Sequence, residues 1–164
     1  MDLTLLPSPI LSNTSRAIVP EDLKAGRFTD LIQQMRVAMT TNSGIGLAAN
    51  QVGEKIALFV IDEKLAKEFD APSVYANPEI TEYGKDDDVL EEGCLSIPGY
   101  WAPVRRSKKI MFKALNEHGE RIKFRARGML ARVLQHETDH LNGVTIRERA
   151  VKHTRADRKN TPRS

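Results

Sequence analysis

The sequence predicts an α+β domain built mostly from antiparallel sheet, and three features predict it. Strand-like segments come first, the clearest being two that alternate apolar and charged residues around a short turn. A single late helix follows them, at 129–142. The chain has 164 residues, 40% hydrophobic and 29% charged, which suits one domain with a normal core.

Residues 1–27 carry scattered prolines and read as loop with short turns. Phe28 to Asn42 reads as a helix with Leu31, Met35, Ala38 and Met39 as its apolar stripe. Thr29 or Asp30 is its expected cap, and Ser43-Gly44 its stop. Lys55 to Ile61 reads as a buried strand. Val74 to Ile80 reads as another, at an edge or bent, because Pro78 has no N–H to donate. Asp86-Asp87-Asp88 reads as a solvated loop. Ile110, Phe112 and Ala114 then point one way, Asn116 to Gly119 turns, and Ile122, Phe124 and Ala126 alternate with Arg121, Lys123 and Arg125. That is a hairpin with one buried face. After Gly128, Met129 to Asn142 forms a helix with Met129, Leu130, Val133, Leu134 and Leu141 on its apolar side. Gly143 stands where a helix closes in a left-handed conformation.

Composition excludes several classes. One cysteine excludes an internal disulfide framework and points to a reducing compartment. No apolar run approaches a membrane span, and Met1 to Ile10 has no basic start and is broken by Pro7 and Pro9, unlike a secretory signal. A cytoplasmic or organelle-matrix location is expected. The net charge of +3 is uneven: Arg147 to Ser164 holds seven Lys/Arg against two acids. Such a tail can touch nucleic acid; the plainer reading is a solvated end. The expected division is therefore a slightly acidic body, 1–146, and a short basic tail, 147–164.

His136-Glu137-Thr138-Asp139-His140 matches H-E-x-x-H. Histidines at i and i+4 share a helix face, so both imidazoles can reach one metal ion, and Glu137 can take a proton from water bound there. Two surface histidines are the alternative. Their neighbours Val133 and Leu141 argue against it, since unpartnered imidazoles beside an apolar stripe are costly. The third ligand is expected upstream, because Ile146 stands where a further histidine would fall and the last glutamate, Glu148, lies close behind His140. Cys94, in Glu92-Gly93-Cys94-Leu95-Ser96, is the candidate. A Cys–His–His set leaves a fourth position open for water. Cys94 also fits a small buried hydrophobe or a thiol nucleophile paired with histidine. Gly44 to Gly53 lacks the ending of a phosphate-binding loop and reads alone as a tight turn. In it, Gln51 can donate to a developing oxyanion.

Together, Gly44 to Gln51, Glu92 to Ser96 and His136 to His140 match G-x-G-L-A-A-x-Q, E-G-C-x-S and H-E-x-x-H in order. In these motifs the chain resembles the peptide deformylase family, over about residues 1–146. The resemblance implies antiparallel sheets packed around a central helix that carries H-E-x-x-H. It implies removal of formate from the formyl-methionine of nascent chains, with metal-bound water attacking the formyl carbon. The implied ligands are Cys94, His136 and His140. The implied metal is one divalent ion, typically Fe²⁺, replaceable by Zn²⁺, Ni²⁺ or Co²⁺. Glu137 becomes the general base and acid, and Gln51 with the Leu95 N–H polarises the formyl oxygen. Gly44, Ile45 and Gly46 become the edge that meets the peptide. Expected partners are N-formyl-methionyl nascent peptides and, through the basic tail, the ribosome; a monomer without membrane contact is expected.

Some residues depart from the family pattern. Asn50 stands where many members have proline, and little effect is expected. Pro98 to Ala102 lacks the basic residue some members carry there, with Tyr100 and Trp101 as packing or peptide-facing aromatics. A long C-terminal helix, frequent in bacterial members, is not expected. Glu92 is expected to pair with Arg105 or Arg106 and hold the Cys94 loop; Asp139 reads as structural, and His118 and His153 as exposed. Three other functions compete: an endopeptidase sharing H-E-x-x-H, a non-catalytic RNA-binding module using the tail, and a thiol hydrolase using Cys94.

Overall fold

The computed structural model describes residues 1–152. Its helices are α1 (Pro20–Lys24), α2 (Thr29–Thr41), α3 (Glu63–Glu68), α4 (Gly128–Leu141) and α5 (Ile146–Arg149). Its strands are β1 (Gly46–Ala48), β2 (Leu58–Ile61), β3 (Val74–Tyr83), β4 (Asp87–Gly93), β5 (Trp101–Ser107), β6 (Lys109–Leu115) and β7 (Arg121–Arg127). Every strand pairing is antiparallel. A five-stranded sheet runs β1-β2-β3-β6-β7, and β4 with β5 forms a separate ribbon. The fold is α+β, as the patterning predicts.

Two helices cover the large sheet from opposite sides. On one face, Leu58, Val60 and Val74 pack with Ile32, Met35, Ala38 and Met39 of α2. On the other, Phe59, Ile61, Tyr75, Ile110 and Phe112 pack with Leu130, Ala131, Val133, Leu134 and Leu141 of α4. β2 is buried on both faces, which explains its unbroken apolar run. The predicted hairpin is β6–β7, with Phe112 opposite Phe124 and Ile110 opposite Ala126. Tyr75 and Phe112 meet edge-on, with ring centroids 5.4 Å apart, and fix the layer under α4.

Several local expectations are corrected. Of the two readings of Pro78, the edge is corrected and the bend holds, since β3 lies between β2 and β6. The register shifts between Ala76 and Glu79, and Asn77 (φ +47°) uses its side chain to bond both the N–H and the carbonyl of Ile18. Asp87 and Asp88 open β4 instead of lying in a loop, because Arg105 and Arg132 meet their carboxylates. Ile32, and not Leu31, is fully buried on α2, while Leu31 is half-buried; the helix begins after Phe28 without a side-chain cap. Met129 is 44% exposed and does not face the α4 core. The Gly44–Gly53 segment is not a simple turn: it contains β1 and a 3₁₀ turn, Ala49–Val52.

The start of the basic tail runs against β5. Ala150 bridges Val104, the Val151 N–H donates to the Pro103 carbonyl at 2.9 Å, and Arg147 lies over the Tyr100 ring. Arg155, Arg158, Lys159, Arg163 and His153 lie outside the described residues. Among the described residues, no helix is long and apolar enough to cross a membrane.

Candidate metal centre

The apolar stripe of α4 orients everything the helix carries. With Leu130, Val133, Leu134 and Leu141 turned to the sheet, His136 and His140 project one turn apart from a flank of the same helix. Their Nε2 atoms are 3.2 Å apart. Cys94 follows directly after β4, and its Sγ lies 3.2 Å from His140 Nε2. The three donor atoms all lie within 4.8 Å of one another. Tetrahedral ligation with metal–nitrogen bonds of about 2.0–2.1 Å and a metal–sulfur bond of about 2.3 Å needs N···N near ~3.3 Å and S···N near ~3.5 Å. The spacing therefore fits a small divalent cation held by one thiolate and two imidazoles.

Glu92 orients the first imidazole. It is buried at the end of β4 and accepts from Arg106 Nε and Nη2, each at 3.0 Å, and from Arg132 Nη1 at 2.7 Å. Its other contact is His136 Nδ1, at 2.9 Å. That contact places the proton on Nδ1 and leaves Nε2 as the free donor. Burial alone would raise the Glu92 carboxyl; hydrogen bonds from His136 and Arg106 outweigh it and hold the group well below the usual carboxylate range. Of the two expected partners, Arg106 is the one used, while Arg105 pairs with Asp87 at the surface. Arg106 also reaches Asp139, which takes two bonds from Arg149, at 3.0 and 2.7 Å. Asp139 thus ties α4 to α5 and β5.

Gln51 is locked by both ends of its amide. The Ala48 N–H donates to its Oε1 at 2.9 Å, and its Nε2 donates to Ser96 Oγ at 3.1 Å and approaches Cys94 Sγ at 3.6 Å. Its N–H₂ group therefore faces the thiol. Asn50, fully buried, donates to the backbone carbonyl of His140 at 2.6 Å and so pins the 3₁₀ turn to the end of α4.

Glu137 is 3% exposed, and its Oε2 has no hydrogen-bond partner. Burial lifts its carboxyl to about 7, with the His136 charge opposing and the Glu92 charge adding. Burial also pushes His140 well below its ordinary value, with the His136 charge adding, and keeps it neutral, the form that offers a lone pair. Burial opposes protonation of His136 too, but hydrogen bonds to Cys94 and Glu92 win and raise it. Gly46 lies against Glu137: a β-carbon there would come within 2.8 Å of the carboxyl carbon, so only glycine leaves that carboxylate its place.

A cavity of about 540 Å³ opens over the cluster. Gly44, Ile45, Gly46, Gln51, Cys94, Leu95, His136 and Glu137 all line it, so eight of the nine residues singled out in the sequence share one pocket. The ninth, His140, is 1% exposed and reaches the cluster from beneath. Leu90, Trp101, Met129 and Val133 give the pocket apolar walls. Sequence reasoning missed Arg132, Arg149, Ser96 and the contact made by Asn50. Arg132 alone left a signal, a charged residue one turn before His136 on a helix flank otherwise turned inward.

The sequence model of the family described as polypeptide deformylase matches residues 1–156. The peptide deformylase of Dictyoglomus turgidum is 40% identical over 152 residues, covering 92% of this chain and 93% of the relative. That of Mesorhizobium japonicum is 43% identical, over 87% of this chain and 79% of the relative. Among solved structures, peptide deformylase from Thermotoga maritima superposes with a TM-score of 0.83 at 35% identity, covering 92% of this chain and 97% of that one. A class I type b peptide deformylase from Acinetobacter baumannii, with Met-Ala-Ser bound, gives a TM-score of 0.81 at 30% identity, over 91% and 97%.

Proposed function

The chain belongs to the polypeptide deformylase family of hydrolases, which remove formyl groups from the N-termini of nascent peptides, and on that premise we propose how its own residues perform the reaction. The observation that carries the reading is the Cys94, His136 and His140 cluster beneath a pocket lined by Glu137 and Gln51. Cys94, His136 and His140 hold one divalent cation, with Fe²⁺ as the native ion and Zn²⁺, Ni²⁺ or Co²⁺ as substitutes. The bound cation supplies a lowered pKa for the attacking water and a Lewis acid for the formyl oxygen.

The protein does the rest. Glu137, buried and raised to about 7, takes a proton from the attacking water and returns it to the departing amine nitrogen. Gln51 Nε2 and the Leu95 N–H donate to the formyl oxygen as negative charge gathers on it. Ser96 and Ala48 hold the Gln51 amide in place for this, so no reorganisation is needed during reaction. Gly44, Ile45 and Gly46 form the edge along which the extended peptide lies, and the apolar walls take the methionine side chain. That the Acinetobacter baumannii relative binds Met-Ala-Ser supports a peptide as the ligand.

Residues 1–146 supply this chemistry. The basic segment 147–164 makes a transient ribosome contact, and the enzyme works as a monomer in the cytoplasm or an organelle matrix. Removal and restoration of the cation tests the reading. Chelator-stripped protein should release no formate from a formyl-Met tripeptide, and one equivalent of Fe²⁺, Ni²⁺ or Co²⁺ should restore release. Unformylated casein should stay intact; its cleavage would favour an endopeptidase.

A further inference from the structure

Within residues 1–146 the excess of positive charge lies in the β6–β7 hairpin, none of whose cations lines the pocket. Residues 108–127 hold seven Lys/Arg and two acids, whereas the rest of residues 1–146 holds eleven Lys/Arg and eighteen acids. The hairpin pattern explains where those charges go. Ile110, Phe112, Ala114, Ile122, Phe124 and Ala126 pack toward α4, so Lys109 and Lys113 of β6 and Arg121, Lys123, Arg125 and Arg127 of β7 all project from the opposite side. All six are exposed.

Their pairing is unfavourable within the chain. Lys109 stands directly across from Arg127, and Lys113 across from Lys123, and like charges opposite one another on a sheet destabilise it. Glu79 offsets Lys113 at 2.9 Å, and Arg127 lies over the Phe69 ring at 5.7 Å. Lys109, Arg121, Lys123 and Arg125 have no hydrogen bond or ion pair from their side chains to another described residue; the acids Glu79 and Glu82 on β3 stand across from Lys113 and Met111, one strand further from β7. β7 is moreover an edge strand. Its same-face side chains repeat about every 6.5–7 Å.

We propose that the outer face of the β6–β7 hairpin, through Arg121, Lys123, Arg125 and Lys109, is a docking surface for the phosphate backbone of duplex RNA. A regular row of cations without side-chain partners, along the two outermost strands of the large sheet, complements a periodic polyanion. The two aromatics of the hairpin face inward, so no base-stacking platform is present, and recognition is of backbone and shape. The same face has no exposed large apolar residue to enter a lipid interface. RNA follows from the family's nascent-peptide substrate, which emerges from an RNA-rich particle; in that choice alone the proposal rests on the reading above. None of residues 108–127 lines the pocket, so docking on the hairpin leaves the site accessible.

The test uses the full chain, cation-loaded, and a fluorescent RNA duplex of about 24 base pairs in anisotropy titrations across salt concentrations. The expected slope of log affinity against log salt is about −4, one ion released per engaged cation. Arg121→Glu/Lys123→Glu/Arg125→Glu should weaken binding at least tenfold and flatten the slope, while formate release from a formyl-Met tripeptide stays unchanged. If that variant loses turnover through misfolding, Arg121→Gln/Lys123→Gln/Arg125→Gln should still weaken binding with turnover intact. Replacement of Arg155, Arg158, Lys159 and Arg163 by Gln should leave most of the affinity. Equal binding by wild type and both triple variants would overturn the proposal. So would loss of binding in the tail variant alone, or capture by anionic phosphatidylserine vesicles without binding to RNA. Failure of formate release with RNA binding retained would count against the reaction and not against this surface.

Discussion

Glu92→Gln probes the buried ion network with little change in shape. The carboxylate serves Arg106, Arg132 and His136 at once, and Glu92, Arg106 and Arg132 are each under 10% exposed. An amide cannot accept from all three. Its N–H₂ group must face a donor, and two guanidiniums keep only Asp139 and Asp88 as counter-charges. Breaking a buried pair typically costs about 3–5 kcal/mol. Because those two acids remain, the lower end, about 3 kcal/mol, applies. For a domain of this size that is about 6–12 °C in Tm. Loss of the partner on His136 Nδ1 should also lower cation affinity about 10–100-fold. The folded Glu92 carboxyl lies below its ordinary 4.5. Its contribution is therefore full above that pH and fades as the pH falls through the folded value, so the gap between variant and wild type should narrow in acid. Thermal melts of cation-free protein from pH 7 downward, with chelator competition for Zn²⁺ affinity, provide the readout. A variant within 1 °C of wild type at pH 7, with affinity within twofold, would refute the network argument.

Gly46→Ala should cut formate release about 100-fold with the melting temperature nearly kept, because the new methyl displaces the Glu137 carboxylate; unchanged kcat/KM would contradict the close approach. Asn50→Ala should cost about 1–2 kcal/mol by removing the bond to the His140 carbonyl, read as a lower denaturation midpoint in urea. An unchanged midpoint would return Asn50 to the small effect expected from sequence. With Cys94 as a ligand, the iron form should lose activity on aeration. Iron-loaded protein still fully active after prolonged aeration would oppose that.

Elements with their own periodicity were legible in the sequence. β6, β7 and α4 each show the alternation or stripe of a surface half turned to a core, and β2 shows the apolar run of a strand covered twice. Elements that exist through distant partners were not. β1 is three residues long and is defined by its pairing with β2. β4 opens on acids whose counter-charges come from β5 and α4. The same division holds in the site. Local spacing fixed only that His136 and His140 point together; that the three motifs share one pocket was implied by the family resemblance. Arg132, Arg149 and the Asn50 contact depend on elements meeting across the fold, and nothing near them in the chain announces the partner.

The central claim is that Glu137, over the Cys94–His136–His140 cluster, moves the proton in deformylation. Formate release from a formyl-Met tripeptide, measured anaerobically for wild type and Glu137→Gln at equal bound metal, tests it most directly. The account predicts release by wild type and a loss of about 10²–10⁴-fold in the variant, with cation affinity kept. Comparable release by both proteins, or none from fully loaded wild type, would contradict it.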